Sequence, residues 1–108
     1  MKEFLFLVRG KDRVSSEELT GRLAAYVEWM QNLVSKGNFK DGHPLLDETR
    51  LVTSKSKVLE KGYFSDEIQM VSGYLIILAK DYDEATEIAK TCPLIEQFPI
   101  EVREQKIR

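Results

Sequence analysis

Gly73-Tyr74-Leu75-Ile76-Ile77-Leu78-Ala79 is a near-continuous apolar run. A strand with one wet face would alternate apolar and polar residues, and this one does not, so it reads as a strand covered on both faces. Asp81-Tyr82-Asp83-Glu84 opens a helix after it, with Asp81 and Glu84 at capping-box spacing. Ala85, Ile88, Ala89 and Cys92 recur on one helical stripe, and Lys90 falls in the last turn, where the helix dipole favours a cation. Pro93 cannot continue the hydrogen-bond ladder, and Pro99-Ile100-Glu101-Val102-Arg103 returns as a strand.

Phe4-Leu5-Phe6-Leu7-Val8 is a second run without alternation and reads as another central strand. Ser15, with Glu18 after it, starts a helix whose broad apolar face holds Leu19, Leu23, Tyr26, Val27, Met30, Leu33 and Val34, with Trp29 near its edge. Gly37 ends that helix. The composition of Asp41-Gly42-His43-Pro44 is that of a turn. Leu45-Leu46 reads as a short strand or packed loop. Arg50–Thr53 and Lys57–Leu59 read as a hairpin closed by Ser54-Lys55-Ser56. Lys61–Ser72 reads as an ordered loop that packs its own side chains. Both halves run strand–helix–strand. The expected fold is therefore α+β, a ferredoxin-like βαβ-βαβ single domain over 1–108 with an antiparallel sheet. Few elements remain to cover the second face of two apolar strands, so a homodimer is expected.

The chain has 108 residues, enough for one domain, with 16 basic and 18 acidic residues. That balance argues against nucleic acid or a membrane surface as partner. Cys92 is the single cysteine, which excludes an internal disulfide and suggests a reducing cytoplasm. Met1-Lys2-Glu3-Phe4 enters a strand at once and does not read as a signal peptide, and no apolar run reaches membrane-spanning length. No phosphate loop, nucleophile elbow or metal-ligand cluster is present, so neither a cofactor nor a metal is expected.

Lys61-Gly62-Tyr63-Phe64-Ser65-Asp66, then Ser72-Gly73-Tyr74, Asp83-Glu84-Ala85 and Ile100-Glu101-Val102-Arg103, resemble the YCII-related family, in particular its DGPF-domain branch. The resemblance spans most of the chain and is strongest from Gly62 onward. It implies a ferredoxin-like domain that pairs sheet on sheet, the dimeric α/β barrel. The name-giving Asp and Pro of that branch are here Lys61 and Tyr63, and Glu104 follows Arg103 in place of Pro. Members resembling the founding branch use a His on the first helix and an Asp before the Pro that ends the second. Here the first helix has no His, and Cys92 precedes Pro93.

Asp66 matches the family's acid and is the candidate base, or else a carboxylate that shapes its loop. Lys61, Tyr63, His43, Arg50 and Tyr74 are candidate ligand-binding residues: the two cations for an anionic group, the rings for a cleft wall, and His43 as the only imidazole. Cys92 lies at the helix end that does not lower a thiol pKa and reads as a small core residue. Two functions are consistent with this set. One is a non-catalytic module that binds a small molecule or a protein. The other is an isomerase or lyase that moves a proton on an organic acid with Asp66.

Overall fold

The computed structural model describes residues 1–10, 16–60 and 70–106, the side chains of 16–19 excepted. In chain order the elements are β1 (Lys2–Arg9), α1 (Ser16–Ser35), β2 (Phe39–Pro44), β3 (Leu51–Ser54), β4 (Lys57–Leu59), β5 (Val71–Ala79), α2 (Tyr82–Lys90) and β6 (Ile100–Glu104). A four-stranded sheet runs β2-β5-β1-β6, and every neighbouring pair is antiparallel. With the β3–β4 hairpin set aside, this is the expected ferredoxin-like α+β arrangement, its two apolar runs paired at the centre from Lys2↔Ala79 to Arg9↔Val71.

The central strands do not alternate in sequence, yet they alternate in burial. Phe4, Phe6, Leu75, Ile77 and Ala79 point toward the helices and are buried. Leu5, Leu7, Tyr74, Ile76 and Leu78 point the other way and are only half-buried. None of this second set belongs to the core cluster, which joins the sheet to Trp29 and Leu33 of α1 and to Ala85 and Ala89 of α2. Both described helices thus lie on one face, and the other face carries an apolar centre flanked by ion pairs. Arg9 Nε donates to Glu101 Oε1 at 3.1 Å on one side, and Lys40 pairs with Glu3 on the other.

Several local expectations change. Asp41-Gly42-His43-Pro44 is the end of edge strand β2, and not a turn. Gly42 fits there because a Cβ would come within 2.6 Å of both the Tyr74 carbonyl oxygen and Leu75 Cδ2. Pro44 is tolerated because an edge strand does not need every N–H. Strand β5 begins at Val71, earlier than Gly73. The inward stripe of α1 is narrower than its sequence suggests: Trp29 and Leu33 are buried, while Leu23, Val27 and Val34 are exposed. Trp29 belongs to the core because its indole Nε1 donates to Thr91 Oγ1 at 2.7 Å, which satisfies the buried donor.

Helix α2 follows its sequence closely. Asp81 is the N-cap, and its Oδ1 accepts from the Glu84 N–H at 2.9 Å. Glu84 reaches back one residue further than a capping box requires, to the Lys80 N–H at 3.1 Å. Thr91 is the C-cap, and Cys92 is buried beneath it.

Candidate functional site

A cleft of about 370 Å³ opens between α1 and the sheet. Its floor is the helix-facing side of three strands, with Val8 of β1, Leu75 of β5 and Ile100 of β6. Leu23, Tyr26 and Met30 of α1 form the roof, and Cys92, Leu94 and Phe98 close the end beyond α2. The volume is in the range of small-molecule sites, about 300–1,000 Å³. The walls are mostly apolar. Among the described residues that line the cleft there is no Lys or Arg, and Asp47 is the one acid.

Tyr26 and Cys92 sit among these apolar walls, with His43, Asp47, Ser72 and Tyr74 as the further polar lining residues. The Tyr26 phenol has its pKa pushed up to about 12, first by burial and then by the Cys92 thiol beside it. Burial pushes the Cys92 thiol up as well, against a smaller lowering by a hydrogen bond to the Leu94 backbone. Both groups are therefore neutral at physiological pH, and Cys92 is a packed thiol with no nucleophilic bias. Tyr26 also stacks at a tilt on Trp29, ring centroids 5.5 Å apart, which fixes its position on the roof.

The residues singled out from the sequence fall in three places. Asp66, Lys61 and Tyr63 lie outside the described residues. His43 and Tyr74 border the cleft and are register partners. Strand alternation turns their rings to the outer face, where they meet edge-on with centroids 6.1 Å apart. His43 Nε2 there lies 3.5 Å from Asp41 Oδ1, with both side chains exposed. Arg50 stands at the foot of the hairpin, between Glu48 at 3.5 Å and Glu60 at 3.6 Å, and does not line the cleft. Sequence reasoning favoured a core role for Cys92 and for Tyr26, while allowing Tyr26 to reach the space between sheet and helices. Their apolar periodicity hid them, and only the lifted position of α1 makes them lining residues. No group of three or more His, Cys, Asp or Glu is placed to hold a metal among the described residues. No described helix is long and apolar enough to cross a membrane.

Comparison with known proteins adds the fold relationship. The chain is similar to the solved structure of 5-chloro-2-hydroxyhydroquinone dehydrochlorinase (TftG) from Burkholderia phenoliruptrix AC1100, in complex with 2,5-dihydroxybenzoquinone. The TM-score is 0.59 at 21% identity, over 98% of this chain and 95% of that one. At that identity the likeness speaks for the fold alone. No curated protein matches the chain. The family model of the YCII-related domain matches residues 3–106, nearly the whole chain, and the protein therefore belongs to the YCII-related family.

Proposed function

We propose that the protein is a dimeric YCII-domain module that binds a small, uncharged, ring-sized organic molecule in the cleft between α1 and the sheet, without turning it over. The observation that carries this reading is the cleft itself, about 370 Å³ with apolar walls and no described cation. An organic acid would leave its carboxylate there without a partner. Burying an unpaired charge costs far more than a few apolar contacts return. The dimer is proposed on the outer sheet face, where Leu5, Leu7, Tyr74, Ile76 and Leu78 stay half-exposed. Within the family, Gly62, Phe64 and Asp66 put the chain nearest the DGPF branch, and the lone Cys92 fits a reducing cytoplasm.

The test is a panel of neutral and acidic aromatic compounds in a thermal-shift screen. Neutral compounds should raise the midpoint and acids of equal size should not. A response confined to the acids would overturn the reading. The dimer predicts a sedimentation mass twice the 12.5 kDa of the chain at micromolar concentration, and a single-chain mass would remove it.

A second reading draws on the fold likeness to an enzyme whose bound ligand is an oxygenated ring. In this version the same cleft serves proton transfer of the isomerase or lyase type, with Asp66 as base. Product formation from a cleft ligand, abolished by Asp66→Asn with binding retained, would select it over the module.

A further inference from the structure

The cleft has many apolar contacts to offer a ligand but few polar ones. Tyr26 supplies the phenolic donor of the roof, whereas Tyr74, which also lines the cleft, turns its ring to the outer face. Among the described residues nothing hydrogen-bonds the Tyr26 hydroxyl, although Trp29 on the same helix has its N–H satisfied by Thr91. A half-buried hydroxyl without a partner is unfavourable, and a ligand oxygen would relieve it. Resting on the cleft reading above, we propose that the Tyr26 hydroxyl donates to a neutral oxygen of the bound molecule, so that the cleft selects uncharged carbonyl or hydroxyl compounds over their carboxylate analogues.

Three features support the selectivity. The apolar floor of Val8, Leu75 and Ile100 gives a carboxylate no solvation. Asp47 on the rim repels it. A hydrogen bond to a charged acceptor is stronger than one to a neutral oxygen. That advantage is smaller than the cost of stripping an unpaired carboxylate of water. The raised phenol pKa points the same way: Tyr26 stays a donor and does not ionise to a competing anion.

The experiment is a titration of the full chain near neutral pH, followed by protein NMR, with three probes of one size: toluene, benzamide and benzoate. Benzamide should bind at least about tenfold tighter than benzoate. Tyr26→Phe, which keeps the ring and its stacking on Trp29, should weaken benzamide about three- to tenfold and leave toluene unchanged. If Tyr26→Phe binds benzamide as tightly as the parent, or if benzoate matches benzamide, the Tyr26 inference is overturned while toluene binding still upholds the cleft. If neither toluene nor benzamide binds, the cleft reading falls and this inference falls with it.

Discussion

The two helices lie on the same face of the same sheet, and they pack on it in different ways. Helix α2 is short, capped at both ends and seated on β5 and β6 through Ala85 and Ala89. Alanine has no bulk to hold the helix off, so backbone and sheet can come close. Helix α1 is more than twice as long and touches the sheet chiefly at β2. It presents Tyr26, Trp29 and Met30, large side chains that hold the helix away from the strands. Its outer side carries Val27 and Val34 exposed. The larger side chains of α1 leave a cleft, and the groups proposed to meet a ligand line it.

That contrast can be broken at a point where α1 is held as firmly as α2. Trp29 is buried and bonded to Thr91 at the end of α2, so it ties the two helices together. Trp29→Ala should cost about 3–5 kcal/mol of stability, read as a fall in the urea midpoint. Trp29→Phe should cost less, because it loses the hydrogen bond and part of the ring while filling most of the space. If both substitutions left the midpoint unchanged, α1 would not be anchored there.

Overpacking sharpens the comparison from the other side. Ala85 is fully buried under α2, whereas Ala24 is exposed on α1. Ala85→Leu should destabilise by about 1–3 kcal/mol, since the flush helix cannot move off without losing its contacts. The same change at Ala24 should stay within about 0.5 kcal/mol. Equal effects at the two positions would mean the helices are held alike. Removing the N-cap of α2 should have a smaller effect: Asp81→Ala leaves the Glu84 N–H without its acceptor and should cost about 1 kcal/mol in the same assay.

How much of this was legible in the sequence follows from the same contrast. Helix α2 carries its limits in Asp81, Lys90 and Pro93, and its inward stripe in Ala85 and Ala89, so reading and structure agree. The strands at Phe4 and Tyr74 were legible as central from their unbroken apolar runs. Strand β2 was not, because its Gly42 and Pro44 carry the composition of a turn, and only the close approach to Tyr74 and Leu75 explains the glycine. For α1, periodicity marks a broad apolar face and cannot say which part of it meets the sheet. Trp29 looks like an edge residue until Thr91, far along the chain, supplies its acceptor. The cleft was illegible for the same reason: periodicity treats a cavity wall and a core as one pattern. His43 could be ranked as the only imidazole, but its pairing with Tyr74 and Asp41 on the outer face depends on strand register.

The smallest expected effect is one of alkaline pH, and it tests the wall of the cleft directly. The Tyr26 phenol is raised from its ordinary 10.0 to about 12 in the folded chain. Below pH 10 the phenol is protonated in both states and contributes no difference. Above it, the unfolded chain ionises first, so stability is lost as pH rises through the window from 10 to about 12. Cys92 acts with the same sign from its ordinary 9.0 upward, because burial also holds its thiol protonated. Lysines and the other tyrosines titrate nearby, so the measurement is a difference between proteins. Urea midpoints of the parent and of Tyr26→Phe are compared at about pH 8 and about pH 11. The parent should lose more stability between the two than the variant does, because only the parent has a buried phenol to keep neutral. A matching loss would place the Tyr26 hydroxyl in water, outside the wall of the cleft, and would make α1 as wet along its inner side as along its outer one.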